Sequence, residues 1–146
     1  MEIKITRDTM SEIYFDALRI RNTVFVKEQQ VPYELEVGNA VEEAAAVHFV
    51  LYDSGNSIGT VRLLADLENQ TALIQRMAIL QSFRGKGYAA ILLENLLQFA
   101  KENGFHTLTL HAQLSARGLY QKFGFIEAGE IFEEAGIQHI TMKKTI

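Results

Sequence analysis

Hydrophobic and polar residues recur along the chain with two periods, and these periods predict most of its elements. Residues 2–6 alternate polar and apolar, as a short strand does. From Ile13 onward, apolar residues recur every three or four positions, which predicts a helix that ends near Val26. Thr9 and Glu12 have capping-box spacing, so we expect them to start this helix.

The remaining pattern predicts further strands and helices after one irregular segment. Residues 27–43 have no sustained period and contain the only proline, which indicates a long loop. Loops of this length are usually functional or mobile. The later predictions are a hairpin of strands 46–52 and 58–65, a strand at 71–80, a helix from 87 to a glycine cap at 104, a strand at 106–112, a short helix at 115–123, and strands at 125–132 and 137–143. With no repeat or linker, the order predicts one mixed α/β domain over residues 1–146.

Composition then removes several classes of protein. A chain of 146 residues with 48% hydrophobic and 22% charged residues is ordinary for a globular protein with a real core. It has no cysteine, which excludes disulfides and thiolate metal sites. No apolar run approaches the ~20 residues that span a bilayer, and the first residues lack a signal-peptide stretch. We therefore expect a soluble cytoplasmic protein with no membrane partner.

The net charge of -4 conceals two segments of opposite sign. Residues 28–68 contain one basic and eight acidic side chains, whereas residues 69–125 contain six basic and two acidic ones. Overall acidity argues against a nucleic-acid partner, because affinity for the phosphate backbone comes from clustered Lys and Arg. The segments are either two solvated surfaces or the two sides of a site that binds an anion and a cation.

A glycine-rich turn lies between the predicted strand at 71–80 and the helix that follows. Its sequence, RGKGYA over residues 84–89, places two glycines and two basic residues at a helix N-terminus. Backbone N–H groups and the helix dipole can bind phosphate at such a turn. The turn is neither a Walker A loop nor a dinucleotide fingerprint. Alternatively, it is a tight connection that needs glycine only for its backbone angles.

Two motifs resemble those of the GCN5-related N-acetyltransferases. The pattern R-x-x-G-x-A over residues 84–89 resembles that family's Q/R-x-x-G-x-G/A motif, and A-x-x-L-Y-x-x-x-G-F over residues 116–125 resembles its second motif. The predicted element order also resembles the family's order over the whole chain. The resemblance implies an α/β (α+β) fold whose mixed, mostly antiparallel sheet is splayed between its fourth and fifth strands and flanked by helices.

The same resemblance implies acetyl-CoA as the cosubstrate, with the turn at 84–89 on its pyrophosphate and the preceding strand along its pantetheine arm. It implies no metal. The residues expected to contact acetyl-CoA are Met77, Ala78, Ile79, Arg84, Gly85, Lys86, Gly87, Tyr88, Ala89, Gln113 and Tyr120. For the strand residues, plain core packing is the alternative.

Acetyl transfer from a thioester to an amine needs a neutral amine and a proton for the departing thiolate. By resemblance, Tyr120 is the general acid, and a phenol with an ordinary pKa near 10 stays protonated at neutral pH. Many family members have a glutamate base where this chain has Gln75. A water relay or another residue must therefore serve, and the candidate bases are His48, His111, Glu28 and Glu36. His111 and Gln113 share one face of their predicted strand.

Several alternatives stay open at the level of sequence. The acidic segment 28–68 favours a small cationic amine as the acceptor, unless it is simply a solvated loop. Without cysteine, we expect direct transfer in a ternary complex. Gln75 keeps open a non-catalytic coenzyme-A-binding module, and a longer acyl group is a third possibility. The protein is expected to be a monomer or a homodimer.

Overall fold

Eight strands form one sheet in the computed structural model, which describes residues 1–146. The strands are β1 (Glu2–Thr6), β2 (Val47–Asp53), β3 (Asn56–Asp66), β4 (Thr71–Ile79), β5 (Thr107–Gln113), β6 (Ile126–Glu127), β7 (Phe132–Glu134) and β8 (Ile137–Thr145). Their order across the sheet is β1-β2-β3-β4-β5-β8-β6, and β7 pairs with β8. Only β4 and β5 are parallel to each other. The expected mixed, mostly antiparallel sheet is confirmed.

Five α-helices accompany the sheet: α1 (Glu12–Arg21), α2 (Tyr33–Val37), α3 (Ala40–Ala45), α4 (Tyr88–Glu102) and α5 (Arg117–Lys122). The predicted start of α1 is wrong, because its N-cap is Ser11, whose hydroxyl accepts a hydrogen bond from the Tyr14 N–H at 3.2 Å. The first helix also does not continue as an α-helix to Val26. It changes into a π-helix over Asn22–Glu28.

The predicted long loop at 27–43 is also wrong, since it contains α2 and α3. Pro32 is the N-cap residue of α2, and the side chain of Asn39 caps α3. Gly38, with φ of 65°, separates the two helices. Their buried residues are the glutamates Glu36 and Glu43, so the buried positions show no apolar period in the sequence.

The two faces of the sheet pack against different helices. Leu92, Leu93 and Leu96 of α4 pack on one face with alternate residues of the central strands. Ala17 and Ile20 of α1 pack on the other face. We call these the α4 face and the α1 face. No helix is both long and apolar enough to cross a membrane.

The last part of the sheet is less regular than predicted. The expected strand at 125–132 consists of the two-residue strand β6 and, after an interruption, the start of β7. The β8 strand is longer than predicted and extends to Thr145. Because β7 and β8 form a hairpin beside β5, they border the site described next.

Candidate active site

The sheet opens between β4 and β5. Their pairing runs from Thr71 opposite Thr107 to Ile74 opposite Leu110 and then stops, so the carboxyl-terminal halves of the two strands diverge. This divergence confirms the predicted splay. A cavity of about 850 Å³ fills the opening. The β4 edge that faces it is not paired with β5 beyond Ile74, and its backbone is available to an extended ligand.

A β-bulge in β4 changes which side chains line the cavity. The β3–β4 register shifts between the pair Arg62–Gln75 and the pair Thr60–Ala78. Arg76 occupies the bulge with φ of 57°. Because the bulge adds one residue, Ala78 packs on the α1 face and Ile79 on the α4 face. Arg76 reaches the α2 side of the cavity, where its guanidinium donates to the Leu35 carbonyl at 3.2 Å.

The glycine-rich turn borders the same cavity at the carboxyl end of β4. Gly85 and Gly87 have φ of 76° and 83°. Gly87 is the N-cap residue of α4, and its backbone is in the left-handed conformation. An added Cβ at either glycine would meet no atom within 4 Å. The turn is therefore open toward the cavity. Its N–H groups and the N-terminus of α4 suit a pyrophosphate.

Arg84 is engaged within the protein. Its two terminal nitrogens donate to the Glu28 carboxylate at 2.5 and 2.8 Å, and its Nε donates to the Ile79 carbonyl at 2.9 Å. These paired hydrogen bonds connect the π-helix, which ends at Glu28, to the glycine-rich turn. It also lowers the pKa of Glu28, chiefly through the hydrogen bond from Arg84. Glu28 lies outside the cavity lining, so the structure does not bring it to the site.

Tyr120 lies on α5 and lines the cavity from the side of β5. It is 6% exposed and packs edge-on against Phe125, with ring centroids 6.0 Å apart. Burial raises the pKa of Tyr120 to about 12. The phenol is therefore protonated throughout the neutral range and can donate a proton to a strong base beside it.

His48 is not brought to the cavity. It lies on β2, in the interior of the α1 face, where its Nε2 is 3.0 Å from the Glu43 carbonyl and its ring packs edge-on against Tyr14. Burial lowers the pKa of His48, so it is neutral at pH 7. Its surroundings are those of a structural histidine.

A buried ion cluster lies beside His48 and connects four elements. We use this name for Arg21, Glu36, Glu43 and Arg62. Arg21 donates to Glu36 at 2.6 Å and lies 2.6 Å from Glu43, and Arg62 donates to Glu43 at 2.8 Å. Arg62 also donates to the Oε1 of Gln75. Gln75 is thus the point where the cluster reaches β4, and Glu36 also lines the cavity.

A second polar group lines the opposite wall of the cavity. Glu134 of β7 lies between two imidazoles, 3.8 Å from His111 Nδ1 and 3.8 Å from His139 Nε2. The ring of Phe132 packs against both histidines. We call His111, Glu134 and His139 the His–Glu–His group. Its atoms are not placed to hold a metal ion.

Gln113 joins the two walls. It follows His111 by two residues on β5, and its amide exchanges hydrogen bonds with that of Gln29 at 3.3 and 3.1 Å. This contact crosses the cavity from β5 to the segment after the first helix. The prediction that His111 and Gln113 share a strand face agrees with the register, which places them opposite Thr141 and His139 of β8.

Most of the predicted cofactor contacts line this one cavity, and Lys86 is the exception. Its ammonium lies over the Phe83 ring, 5.6 Å from the centroid. Of the four candidate bases, the cavity includes His111 and Glu36 and leaves out His48 and Glu28. Three further residues line the cavity and were not predicted from the sequence: Arg76, Glu134 and His139. The one sequence signal for His139 is the alternation of residues 137–143, which places it on the more polar face of the predicted strand.

Comparison with known proteins agrees with this architecture. The family model of the GNAT acetyltransferase domain matches residues 13–146. YyaT of Bacillus subtilis is 34% identical over 146 residues, which cover 99% of this chain and 97% of that protein. YjcF, an uncharacterized N-acetyltransferase of the same bacterium, is 33% identical over 130 residues. This match covers 88% of this chain and 90% of YjcF.

A solved structure gives the same result. An acyl-CoA N-acyltransferase from Pseudomonas aeruginosa superimposes with a TM-score of 0.86 at 26% identity, and the match covers 98% of each chain. The chain belongs to the GNAT family of acetyltransferases. It is therefore an acyltransferase of the class that takes its acyl group from an acyl-CoA.

Proposed function

We propose that this protein is an acetyl-CoA-dependent N-acetyltransferase that moves the acetyl group to a primary amine by direct transfer. The observation that carries the proposal is the cavity between β4 and β5, which joins the open glycine turn to Tyr120. The amide N–H groups around Gly85 and Gly87 would hold the pyrophosphate, and the free edge of β4 would pair with the pantetheine arm. The chain has no cysteine to accept the acetyl group, which supports direct transfer.

In the proposed reaction, a neutral amine attacks the thioester carbonyl, the new C–N bond forms, and the C–S bond breaks. Tyr120 gives its proton to the departing thiolate. The proton lost by the amine passes to His111, which lines the cavity with Glu134 3.8 Å from its Nδ1. His111 is the better candidate base, since Glu28 is held by Arg84, His48 lies outside the cavity, and Glu36 is bonded to Arg21.

Two other functions have some support. Gln75 favours a coenzyme-A-binding module without catalysis, because it cannot take a proton and is bonded to Arg62. The protein from Pseudomonas aeruginosa is named for acyl transfer, a class that covers acetyl and longer groups, so a longer acyl group is the other candidate. Thermal-shift titrations with coenzyme A, acetyl-CoA and longer acyl thioesters, followed by thiol release with amines, separate these functions.

The direct test of the mechanism is Tyr120→Phe at saturating acetyl-CoA. We expect kcat to fall by roughly 10²-fold, because general acid catalysis contributes on this scale, while acetyl-CoA still stabilises the protein. Tyr33→Phe is the matched control, since Tyr33 is exposed and outside the cavity. An unchanged kcat and pH profile in Tyr120→Phe would show that Tyr120 is not the acid.

A further inference from the structure

We infer that the acceptor amine also carries an oxyanion, a carboxylate or a phosphate, and that Arg76 binds this group. The inference deepens the proposed function and rests on it. Three features of the structure support it. They are the position of Arg76 in the β4 bulge, the N–H groups of its guanidinium that have no protein acceptor, and the pairing of the nearby carboxylates with other arginines.

The bulge brings Arg76 to the wall of the cavity. With regular alternation after Gln75, the side chain of residue 76 would point into the apolar core of the α4 face. The extra residue places Gln75 and Arg76 in succession on the α1 face instead. Arg76 has φ of 57°, which L residues rarely adopt, and such conformations concentrate at functional sites.

The guanidinium of Arg76 is held in place but only partly used. Its Nε donates to the Glu36 carbonyl at 3.4 Å, and Nη2 donates to the Leu35 carbonyl at 3.2 Å. Of its five N–H groups, three thus have no protein acceptor. The side chain is 27% exposed and lines the cavity. A guanidinium fixed in this way can bind an oxyanion in a fork without first being ordered.

Arg76 shares its nearest carboxylate, that of Glu36, with Arg21. The buried ion cluster is neutral, with two arginines and two glutamates, and Arg21 and Arg62 are only 1% and 2% exposed. Arg76 adds a third cation, 3.7 Å from Glu36, which already binds Arg21 at 2.6 Å. Burial first, and then Arg62 and Arg21, lower the pKa of Arg76, as expected where positive charge is in excess.

One further carboxylate, that of Glu42, lies close to the cluster. It is half-exposed and lies 4.0 Å from Arg62, so water screens its charge, and it accepts no hydrogen bond from Arg76. The acidic segment 28–68 therefore does not present a free negative surface to the cavity from its buried glutamates. An anionic group on the acceptor would supply the charge that the protein leaves out.

The amine end of the acceptor fits the opposite wall. His111 is one residue beyond the last β4–β5 pair, and Arg76 is two residues beyond it on the other strand. At about 3.3 Å per residue, both lie within roughly 7 Å of the apex of the splay, measured along their strands. Small amines whose oxyanion is a few bonds away, such as amino acids or aminoalkyl phosphates, match this spacing. The His–Glu–His group would receive the amine.

The test compares matched amines in acetyl-CoA-dependent thiol release: glycine with glycinamide, β-alanine with propylamine, and phosphoethanolamine with ethanolamine. We expect kcat/KM to be at least tenfold higher for the anionic member of at least one pair. In Arg76→Gln this preference should fall to near one through a higher KM for the anionic amine. Arg76→Lys, which keeps the charge without the fork, should be intermediate.

Controls separate a binding role from a structural one. If Arg76 only holds α2 through its carbonyl contacts, Arg76→Gln and Arg76→Lys will lower kcat/KM equally for both members of each pair, which overturns the inference. Arg7→Gln, at an exposed arginine outside the cavity, should change nothing. If the enzyme turns over amines but does not prefer an anionic amine in any pair, the inference is overturned and the proposed function is not. Failure of every amine to release thiol overturns the proposed function and the inference together.

Discussion

At the scale of single residues, the environments of the titratable groups determine which of them can act. Burial raises the pKa of Tyr120 to about 12, so the phenol keeps its proton at neutral pH, as the proposed general acid must. Burial lowers the pKa of His48, but this residue does not line the cavity. The hydrogen bond from Arg84 lowers the pKa of Glu28, which makes it a poor base. His111 and Glu36 are the two candidates that line the cavity, and Glu36 is already bonded to Arg21, which leaves His111.

The glycine turn gives a prediction that separates ligand binding from stability. Gly87 and Gly55 have φ of 83° and 81°, and an added Cβ would meet no atom within 4 Å at either position. Replacing either with Ala should cost a similar free energy of unfolding, about 1–2 kcal/mol, for the left-handed backbone. Only Gly87→Ala should also weaken acetyl-CoA binding, by tenfold or more, because its Cβ would lie where the pyrophosphate approaches.

Calorimetric titration of both variants with acetyl-CoA, together with urea unfolding, measures the two effects. Gly55 lies in the β2–β3 turn, so Gly55→Ala is the matched control. Equal acetyl-CoA affinity in the two variants would contradict the placement of the pyrophosphate at this turn.

At the scale of elements, the sequence predicted those whose buried side is apolar. The period of α4 and the alternation of β5 are plain because Leu92, Leu96 and Leu108 pack in an apolar core. The helices α2 and α3 bury glutamates against arginines, and this gives no apolar period. The bulge at Arg76 depends on pairing with β3 and on contacts with α2, which are distant in sequence.

The candidate site likewise has parts with a local sequence signal and parts without one. Motifs with a fixed local geometry, such as the turn at 84–89, predict a cofactor side from the sequence alone. The His–Glu–His group could not be predicted, because β5 and the β7–β8 hairpin bring its members together from separate parts of the chain. The side chain of Arg84 is likewise occupied by Glu28, 56 residues away in sequence.

The α1 face should make stability depend on pH through His48. The folded protein lowers the pKa of this imidazole below its ordinary value of 6.5. The unfolded chain therefore binds the proton first, and the free energy of unfolding falls as the pH drops below 6.5. The slope contributed by one such group is at most about 1.4 kcal/mol per pH unit. Glu43 adds to the loss only at lower pH, since its pKa is lowered from 4.5.

Urea unfolding between pH 7 and pH 5 measures this slope. In His48→Gln the dependence on pH should become flatter, whereas His106→Gln, at an exposed histidine, should leave it unchanged. An equal slope in wild type and His48→Gln would contradict the assignment of a buried neutral imidazole.

At the scale of the whole molecule, folding redistributes the two charged segments. Glu28 neutralises Arg84, and Glu43 is paired with both Arg21 and Arg62. The acidic and basic segments therefore meet in ion pairs beside the cavity, at Glu28–Arg84 and Glu36–Arg76. The charges that remain for ligands are individual groups placed at the cavity, with Lys122 near Tyr120 and Arg76 at the β4 bulge.

The measurement that tests this account most directly is the initial rate of thiol release with acetyl-CoA and an accepted amine varied together. Direct transfer at the β4–β5 cavity predicts double-reciprocal lines that intersect, with no thiol released in a burst before the amine is added. Parallel lines, or a burst without amine, would indicate an acetylated enzyme and contradict direct transfer. Binding of acetyl-CoA without release of thiol for any amine would contradict the proposed catalysis itself.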